Sequence, residues 1–574
     1  LLAAIRGSPV QVRERGPIFI DCTPLVSVPS DLFDTQRAPM AIYYSQGPND
    51  NTIVLVNTRR PMKEINEGSD VLGFEDQLWS SANKLRGNMD ASEYKHVVLP
   101  LVFLKYISDA FEDTHSSLVS RGRNPENRDE YIAKGVFWVP EKGRWNNLVE
   151  NATDPSIGIM IDDAMEAIER DNPELRNVLP KNFGSSDLSS RVLGEVVTLF
   201  GNMQSFGDED ARSKDVIGRV YEYFIGKFAE AEKKGGGEFY TPRSVVRLLT
   251  EILQPYEGRI YDGCCGSGGM FVQSLKFMEA HAGRINASVW GQESNPTTWR
   301  LAKMNLAIRR IDANLGKSHE DTLLNDYFPD LRADFTIVNP PFNIKDWGFE
   351  SLQDDPRWMY GVPPKGNANY AWIQHYLHHL SPQGMAGIVM SNGSLSTTRK
   401  EEKTIREGII NDDKLDCVIM LPNKLFTNTG ISACIWILSN SKTDSRFRSR
   451  SGETLFIDCR GMGTMVNRTL RELTAEDVAK AAETYQNWRS KDTYDDYEDE
   501  RGFCKAVTTA KEITEHEYII VPGRYVGAPP LPDDGEPSED KMKRLTSELG
   551  EHFAESRRLE DKIRKNLGDL GFEF

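Results

Sequence analysis

The sequence predicts an α/β protein in which a mostly parallel sheet, with helices on both faces, follows an all-α domain and precedes a C-terminal amphipathic helix. Two observations predict the sheet: short apolar runs suited to buried strands recur from residue 259 to residue 438, and helical stretches separate them. Strands that alternate with helices are typical of βαβ units. A third observation, apolar residues spaced three and four apart between residues 73 and 200, predicts the helical domain. The apolar runs are Arg259–Tyr261, Ser288–Trp290, Phe335–Val338, Ala386–Met390, Cys417–Leu421 and Ala433–Leu438.

Length and charge exclude several classes of protein. At roughly 100 to 200 residues per domain, 574 residues allow about three or four domains. The longest apolar run, Val97–Leu104, contains Pro100 and is far shorter than the roughly 20 residues that span a bilayer, so we expect no membrane segment. The net charge of −17 argues against a protein that coats nucleic acid by charge alone. A local groove or a partner would have to attract DNA.

The cysteine and histidine patterns disfavour a metal centre. Seven cysteines include no CxxC pair, and nine histidines include no HExxH motif. We therefore predict neither a zinc site nor a disulfide framework, and we expect a reducing, cytoplasmic location.

The chain divides into four predicted segments. Residues 1–61 begin with Leu, carry seven prolines and lack helical periodicity, so our hypothesis is that they are a non-native or mis-called extension and that translation begins at Met62. Residues 62–205 form the helical domain, which includes the helical stretch Glu93–Phe111. Residues 206–528 form the α/β domain, whose first helix covers Asp215–Ile225.

The fourth segment, residues 529–574, is a linker followed by a helix. The Pro-rich, acidic stretch Pro529–Pro537 cannot continue a helix. Beyond it, apolar residues fall mostly three or four apart among charges, which predicts an amphipathic helix that either folds back on its own domain or binds a partner. These residues are Leu545, Leu549, Phe553, Leu559, Ile563 and Leu567.

A glycine-rich turn follows the first predicted strand of the α/β domain. The strand ends at Asp262, and Gly266, Ser267, Gly268 and Gly269 lead into a helix. Glycines let the backbone approach a ligand closely, as in nucleotide-binding turns at the carboxyl edge of a doubly wound sheet. The spacing is not GxGxxG, so a tight structural turn is the alternative.

The next predicted strand is followed by Glu293, 27 residues beyond Gly266. This separation is similar to the spacing at which an acidic residue binds ribose hydroxyls. Glu293 is therefore a ribose-binding candidate, although an acid at a strand end is also a common helix cap.

The sharpest signal is the sequence Asn339, Pro340, Pro341 and Phe342, which ends an apolar strand. An exocyclic amino group on a heteroaromatic ring is a poor nucleophile because its lone pair is delocalised. The Asn339 oxygen and the Pro340 carbonyl can each accept one amino hydrogen, which favours a pyramidal nitrogen, and Phe342 can stack on the ring. Positioning and hydrogen bonding thus lower the barrier.

Taken in order, these motifs resemble the class I S-adenosylmethionine-dependent DNA adenine-N6 methyltransferases, and among them the modification subunits of type I restriction-modification systems. The resemblance runs from about Gly73 to Val526 and implies a Rossmann-like methyltransferase domain. It rests on Gly237–Arg243, Asp262–Gly269, Glu293, Asn339–Phe342, Gly366–Tyr370, Leu421–Phe426, Thr429–Ile431 and Val521–Tyr525.

The resemblance also implies roles for individual residues around S-adenosylmethionine. Glu293 would hold its ribose, and Asp321 would lie near its adenine end or near the target amino group. Asn339, Pro340 and Phe342, with Pro341 in the same motif, would hold a flipped adenine. One departure is that Gly263-Cys264-Cys265 replaces a turn expected to contain Pro and Ala, and we interpret both cysteines as small buried fillers. The residues expected around the rest of the cofactor are Glu238, Phe239, Tyr240, Thr241, Pro242, Arg243, Asp262, Gly266, Ser267, Gly268 and Gly269.

The implied partners are double-stranded DNA, a specificity subunit that binds two modification subunits, and a motor endonuclease subunit for restriction. The C-terminal helix is the docking candidate for the specificity subunit. Other hypotheses remain open: a solitary DNA adenine methyltransferase, an enzyme that methylates protein glutamine or RNA, and an inactive DNA-clamping scaffold. The basic run Arg446–Arg450 is interpreted as a solvated loop or as a phosphate contact.

Overall fold

The computed structural model describes most of the chain and divides it into two compact units, residues 1–78 and 79–574. The described residues are 19–21, 40–46, 51–57, 75–87, 89–185, 189–202, 216–231, 241–282, 286–426, 432–529 and 538–569.

The first unit contains a small antiparallel sheet that the sequence analysis did not predict. Its strands are β1 (Phe19–Asp21), β2 (Met40–Gln46) and β3 (Asn51–Asn57), in the order β1-β3-β2. Val, Ile and Tyr recur in β2 and β3, and such side chains favour strands. The hypothesis that translation begins at Met62 stays a prediction.

Helices are the main secondary structure of the described part of residues 75–201, as the three- and four-residue spacing predicted. The central helix runs through Pro100, and its Tyr106 hydroxyl donates to the Ile308 carbonyl of the α/β domain at 2.9 Å. The helical domain is therefore fastened to the α/β domain. Its helices are α1 (Glu75–Leu85), α2 (Ala91–Ser120), α3 (Arg128–Ile132), α4 (Trp145–Glu150), α5 (Ile157–Asp171) and α6 (Ser190–Gly201).

The α/β domain alternates strands and helices, as predicted. Its strands are β4 (Gly258–Asp262), β5 (Ala287–Gly291), β6 (Ala313–Asn314), β7 (Ala333–Val338), β8 (Leu380–Ser391), β9 (Leu415–Met420), β10 (Ala433–Ser439), β11 (Glu453–Asp458) and β14 (Cys504–Thr508), and β12 (Thr464–Met465) pairs with β13 (Arg471–Glu472) in a separate hairpin. Its helices are α7 (Val216–Ala231), α8 (Arg243–Leu253), α9 (Gly269–Ala282), α10 (Pro296–Ile308), α11 (Asn369–His378), α12 (Lys400–Asn411), α13 (Ala475–Arg489) and α14 (Gly523–Val526).

The described strands form a nine-stranded sheet in the order β14-β11-β9-β10-β8-β7-β4-β5-β6. Strands β4 to β8 are mutually parallel where they pair, β10 is antiparallel to β8 and β9, and β14 is antiparallel to β11. The prediction of a mostly parallel sheet is confirmed.

Helices cover both faces of this sheet because its strands are buried on both sides. Along β8, Ile388 packs into a cluster with α11 and α12, whereas its neighbour Val389 packs into a second cluster with α8 and α13. This alternation is the two-residue period of a strand between two apolar layers. None of the described helices is both long enough and apolar enough to cross a lipid bilayer.

A single long helix, α15 (Ser538–Asp569), ends the described chain, as predicted. The large apolar side chains along it are 44–67% exposed, so in this structure they do not pack against the α/β domain. These side chains are Met542, Leu545, Leu549, Phe553, Leu559 and Ile563. A partner for this helix stays a prediction. The preceding linker falls outside the described residues from residue 530 to residue 537.

Candidate active site

The predicted site residues meet at the point where the sheet reverses its strand order. Strand β4 pairs in parallel with β5 on one side and with β7 on the other. The chain runs outward from β4 through β5 to β6 and then returns to β7, which leaves a crevice beyond the carboxyl ends of β4 and β7. Asp262 ends β4, and Asn339 directly follows β7.

The glycine turn after β4 leaves open space beside its backbone. Gly266 and Gly268 have φ values of +55° and +79°, which glycine adopts readily. A Cβ added at Gly266 or at Gly269 would meet no atom within 4 Å. Helix α9 begins at Gly269, so its first backbone N–H groups lie at this opening and favour a polar or anionic ligand group.

Asp262 is a buried carboxylic acid at the base of the turn. Its side chain is 1% exposed, and Oδ1 accepts a hydrogen bond from the Cys264 N–H at 2.9 Å. Burial, with a smaller contribution from the nearby charge of Glu293, raises the pKa of Asp262 to about 7. Burial also raises the thiol pKa of Cys264 and Cys265, which agrees with their interpretation as fillers rather than reactive thiols.

Glu293 joins the glycine turn to the start of helix α10. Its Oε2 accepts from the Gly266 N–H at 3.0 Å, and its Oε1 accepts from the Asn295 N–H at 2.8 Å. The side chain is 9% exposed. These contacts hold the carboxylate in a fixed orientation beside the glycine turn.

A backbone hydrogen bond connects the segment that contains Asp321 to Glu293. The Glu320 N–H donates to the Glu293 carbonyl at 2.9 Å, which places Asp321 next to the ribose candidate. Its Oδ1 accepts from the N–H groups of Leu323 and Leu324 at 2.9 and 3.1 Å. Of its two expected locations, the contacts favour the one near the cofactor.

The two ends of the Asn339 amide have different environments. Its Nδ2 donates to Thr241 Oγ1 at 2.9 Å. Its Oδ1 is buried and has no hydrogen-bond partner among the described residues. Leaving a buried acceptor unpaired costs roughly 1–3 kcal/mol. Because this oxygen lies beside the crevice, it can accept a hydrogen from a donor on a ligand.

The rest of the segment after Asn339 contacts the loop after β9 and the start of helix α11. Phe342 meets Phe426 edge-on, with ring centroids 6.5 Å apart. The Asn343 N–H donates to Asn369 Oδ1 at 2.8 Å, and Asn369 Nδ2 donates to Asn343 Oδ1 at 2.9 Å. Asn369 belongs to the Gly366–Tyr370 segment, which the sequence resemblance included without giving it a role.

The upstream segment is brought only partly into this site. Glu238, Phe239 and Tyr240 lie outside the described residues, so their predicted role stays a prediction. Pro242 precedes helix α8 as its N-cap. Arg243 Nε lies 3.0 Å from Glu222 Oε1, which directs part of this side chain toward helix α7.

A buried network that the sequence analysis missed supports the glycine turn from below. Asn305 Nδ2 donates to the Ser267 carbonyl at 2.7 Å, and Arg309 in turn hydrogen-bonds the Asn305 side chain. Arg309 also lies 3.3 Å from Glu222 Oε2 on helix α7. Residues far apart in the sequence form this network, so no local sequence pattern predicts it.

A second buried cluster beneath the site contains Asp326, His375 and His379, whose side chains could in principle hold a metal ion. The ring nitrogens of His375 contact Tyr261 Oη at 2.9 Å and Arg357 Nη1 at 3.1 Å. Those of His379 contact Asp326, the Phe328 carbonyl and the His375 carbonyl at 3.0, 3.2 and 2.9 Å. Each nitrogen is committed to a protein group, so the cluster is a packed polar core.

The three arginines of the basic run 446–450 form ion pairs within the chain and differ in exposure, since the Arg446 side chain is 58% exposed. Arg450 is 1% exposed and pairs with buried Asp416 at 3.0 Å. Arg448 pairs with Glu453 at 2.8 Å, and Arg446 with Asp444 at 2.6 Å. The run therefore lies in a loop whose Arg446 faces solvent, as one interpretation expected, whereas Arg450 belongs to the buried core. The phosphate contact stays a prediction.

The arrangement suits transfer of a group between two bound ligands. An acidic side chain at Glu293 and open space at the glycine turn fit a cationic nucleoside cofactor such as S-adenosylmethionine. An unpaired acceptor and an aromatic ring fit a heteroaromatic amine at the same sheet edge. The crevice between β4 and β7 brings the two ligand positions together.

Comparisons with known proteins agree with this geometry. The family profile described as N-6 DNA Methylase matches residues 212–534, and the profile of the HsdM N-terminal domain matches residues 74–200. The type I restriction enzyme HindI methylase subunit of Haemophilus influenzae is 48% identical over 421 residues, which cover 72% of this chain and 93% of that protein. The corresponding MjaIX subunit of Methanocaldococcus jannaschii is 38% identical over 523 residues, which cover 87% and 92%.

A solved structure adds the same result at the level of the fold. The type I restriction-modification methyltransferase subunit from Streptococcus thermophilus has a TM-score of 0.65 at 25% identity, with 79% of this chain and 99% of that chain covered. The chain therefore belongs to the N-6 DNA methylase family, as a methylase subunit of the type I restriction-modification kind.

Proposed function

We propose that this chain transfers the methyl group of S-adenosylmethionine to N6 of an adenine flipped out of duplex DNA, and that Asn339, Pro340, Pro341 and Phe342 are its catalytic motif. The observation that carries the proposal is Asn339 Oδ1, a buried acceptor without a donor among the described residues. An adenine amino group supplies the missing donor. In a scaffold that never binds a base, no adenine amino group would donate to this oxygen.

The roles of the residues follow from their positions. S-adenosylmethionine supplies an electrophilic methyl group on a sulfonium. Glu293 binds its ribose hydroxyls, and the turn at Gly266–Gly269 accommodates its methionine part beside Asp262. Asn339 Oδ1 and the Pro340 carbonyl accept the two amino hydrogens of adenine, which turns the nitrogen lone pair toward the methyl group. Phe342 stacks on the base, which must leave the duplex to reach the crevice.

Cofactor affinity should rise with pH through about 7, because the pKa of Asp262 is raised to about 7. The ionised carboxylate attracts a cationic ligand, whereas the protonated acid does not, so affinity is lower below the pKa and higher above it. Binding should also lower this pKa and release a proton near pH 7. Titration calorimetry in two buffers of different ionisation enthalpy measures that release. Asp262→Asn should abolish it, and an unchanged release in this variant would contradict the assignment.

The exposed apolar face of α15 supports docking to a specificity subunit. Its Met542, Leu545, Leu549 and Phe553 follow one another at three- or four-residue spacing, as in a helix packed against another helix. At 1.5 Å per residue, the 32 residues of α15 extend about 48 Å. In this proposal two such chains bind one specificity subunit, and a motor endonuclease subunit joins the complex for restriction.

Replacing Leu549 and Phe553 together by Glu should release the chain from this complex. The charges would have to be buried at the interface, which is costly for unpaired ions. A tagged chain from the native host, sized by gel filtration and light scattering, should then elute alone while it still binds S-adenosylmethionine. Glu551→Lys, on the opposite face of the same helix, is the matched control and should stay assembled. A double variant that stays assembled would contradict the docking role.

The proposed reaction is tested by the identity of its product. The complex purified from the native host, supplied with S-adenosylmethionine labelled in the methyl group, should label duplex DNA. Hydrolysis and chromatography should recover the label as N6-methyladenine. Label in protein glutamine or in RNA would overturn the substrate assignment. An enzyme with this substrate works where the chromosome is, which supports a cytoplasmic location.

A further inference from the structure

We infer that Thr241 is a positioning residue that holds the Asn339 amide with its oxygen toward the base. The inference rests on the proposed function of Asn339 and adds a residue to its machinery. Its starting observation is the 2.9 Å hydrogen bond from Asn339 Nδ2 to Thr241 Oγ1, opposite the unpaired Oδ1. Sequence resemblance gave Thr241 a different role, as one of several residues around the cofactor.

The amide of an asparagine has two orientations of nearly the same shape. A half-turn about the terminal torsion, which has broad and roughly two-fold preferences, exchanges the oxygen and the NH₂ group. Only one orientation accepts a hydrogen from an adenine amino group. In the other orientation the NH₂ group of Asn339 faces the amino group of adenine, and two donor groups that face each other oppose binding. In the structure Nδ2 donates to Thr241 Oγ1, and this contact goes with the orientation whose oxygen is left for the base.

Thr241 is held firmly enough to be that neighbour. It precedes Pro242, which restricts its backbone to an extended conformation, and helix α8 begins directly afterwards. Buried side chains of α8, including Val245 and Leu249, pack in one cluster with Ile337 of β7. Strand β7 leads directly into Asn339. The helix that follows Thr241 and the strand that precedes Asn339 thus share a packed core, which fixes the two side chains relative to each other.

The decisive variant is Thr241→Val, which keeps the shape of the side chain and removes the acceptor. The methyl-transfer rate should be measured with the host-purified complex at saturating DNA and S-adenosylmethionine. A lost hydrogen bond of ordinary strength predicts a fall of about three- to tenfold in this rate. Thr241→Ser keeps the hydroxyl and should stay within about twofold of the wild type. The dissociation constant of the cofactor should change little in either variant.

Thr250→Val, on helix α8 directly after Thr241, is the matched control. Thr250 is buried, and its hydroxyl donates to the Val246 carbonyl at 2.9 Å, so this variant also removes a hydroxyl but at a distance from the crevice. Its rate should equal that of the wild type. If Thr241→Val does not fold, Thr241→Ala makes the same comparison.

The inference is overturned if Thr241→Val keeps the full rate, if Thr241→Ser is as slow as Thr241→Val, or if the only change is weaker cofactor binding. Asn339→Ala in the same assay separates this failure from that of the proposed function. If the Asn339→Ala complex retains full turnover, the proposed role of the catalytic motif is wrong. If Asn339→Ala is slow and Thr241→Val has the wild-type rate, only the role of Thr241 is wrong.

Discussion

Asn339→Ala should lower the methyl-transfer rate on the order of 10²- to 10³-fold and leave S-adenosylmethionine binding nearly unchanged. The reason is that the side chain contacts Thr241 and, in the proposed reaction, the base, whereas the cofactor contacts begin at Glu293 and the glycine turn. Single-turnover transfer to labelled duplex DNA measures the rate, and titration calorimetry measures cofactor binding.

Asn339→Asp is the informative control for this loss. It keeps an oxygen acceptor for the base but has no NH₂ group, so the hydrogen bond from Nδ2 to Thr241 Oγ1 is lost. Its rate should therefore lie between those of the wild type and Asn339→Ala. If Asn339→Ala and Asn339→Asp both transferred methyl groups at the wild-type rate, the amide would have no role in the reaction.

Glu293→Ala should give the opposite pattern, with weak cofactor binding and a nearly normal rate at saturating cofactor. Hydrogen bonds to a charged group contribute roughly 1.5–3 kcal/mol each, so losing the ribose contacts predicts a dissociation constant raised about 10- to 100-fold. The same carboxylate also accepts from the N–H groups of Gly266 and Asn295, so part of the loss comes from a loosened turn. Titration calorimetry over a range of cofactor concentrations measures the effect.

Glu293→Gln separates these two contributions. It keeps the shape of the side chain and one acceptor oxygen, so one of the two backbone contacts, from the Gly266 or the Asn295 N–H, can remain while the charge and the other contact are lost. Affinity should therefore fall by less than in Glu293→Ala. The thermal unfolding midpoint of each variant reports on the turn. Cofactor binding of wild-type strength in Glu293→Ala would contradict the assignment of this residue to the ribose.

The sheet and the catalytic motif could be predicted because their signals are local. Apolar runs bounded by glycine, asparagine or proline gave six of the strands in the nine-stranded sheet, and the motif at Asn339 lies directly after one of them. Three further strands, β6, β11 and β14, were missed. Strands β6 and β14 lie at the two edges of the sheet, and β6 has only two residues, so neither carries a long apolar run.

The support of the site could not be predicted, because its contacts join distant parts of the chain. Thr241 and Asn339 are 98 residues apart, and Asn305 and Ser267 are 38 residues apart. Which polar side chain meets which backbone group depends on how helices α8 and α10 pack on the sheet. The arginines at 446 to 450 show the same limit, because a basic run has the same sequence pattern whether its charges face water or buried carboxylates.

The central claim is that this chain methylates adenine through Asn339, and a genome-wide map of N6-methyladenine tests it most directly. The host strain should be compared with one whose chromosome carries Asn339→Ala. We predict that a split sequence motif, two short specific parts separated by an unspecified gap, loses its methylation in the variant. An identical methylation map in both strains, with the wild-type protein present in the cells, would contradict the claim.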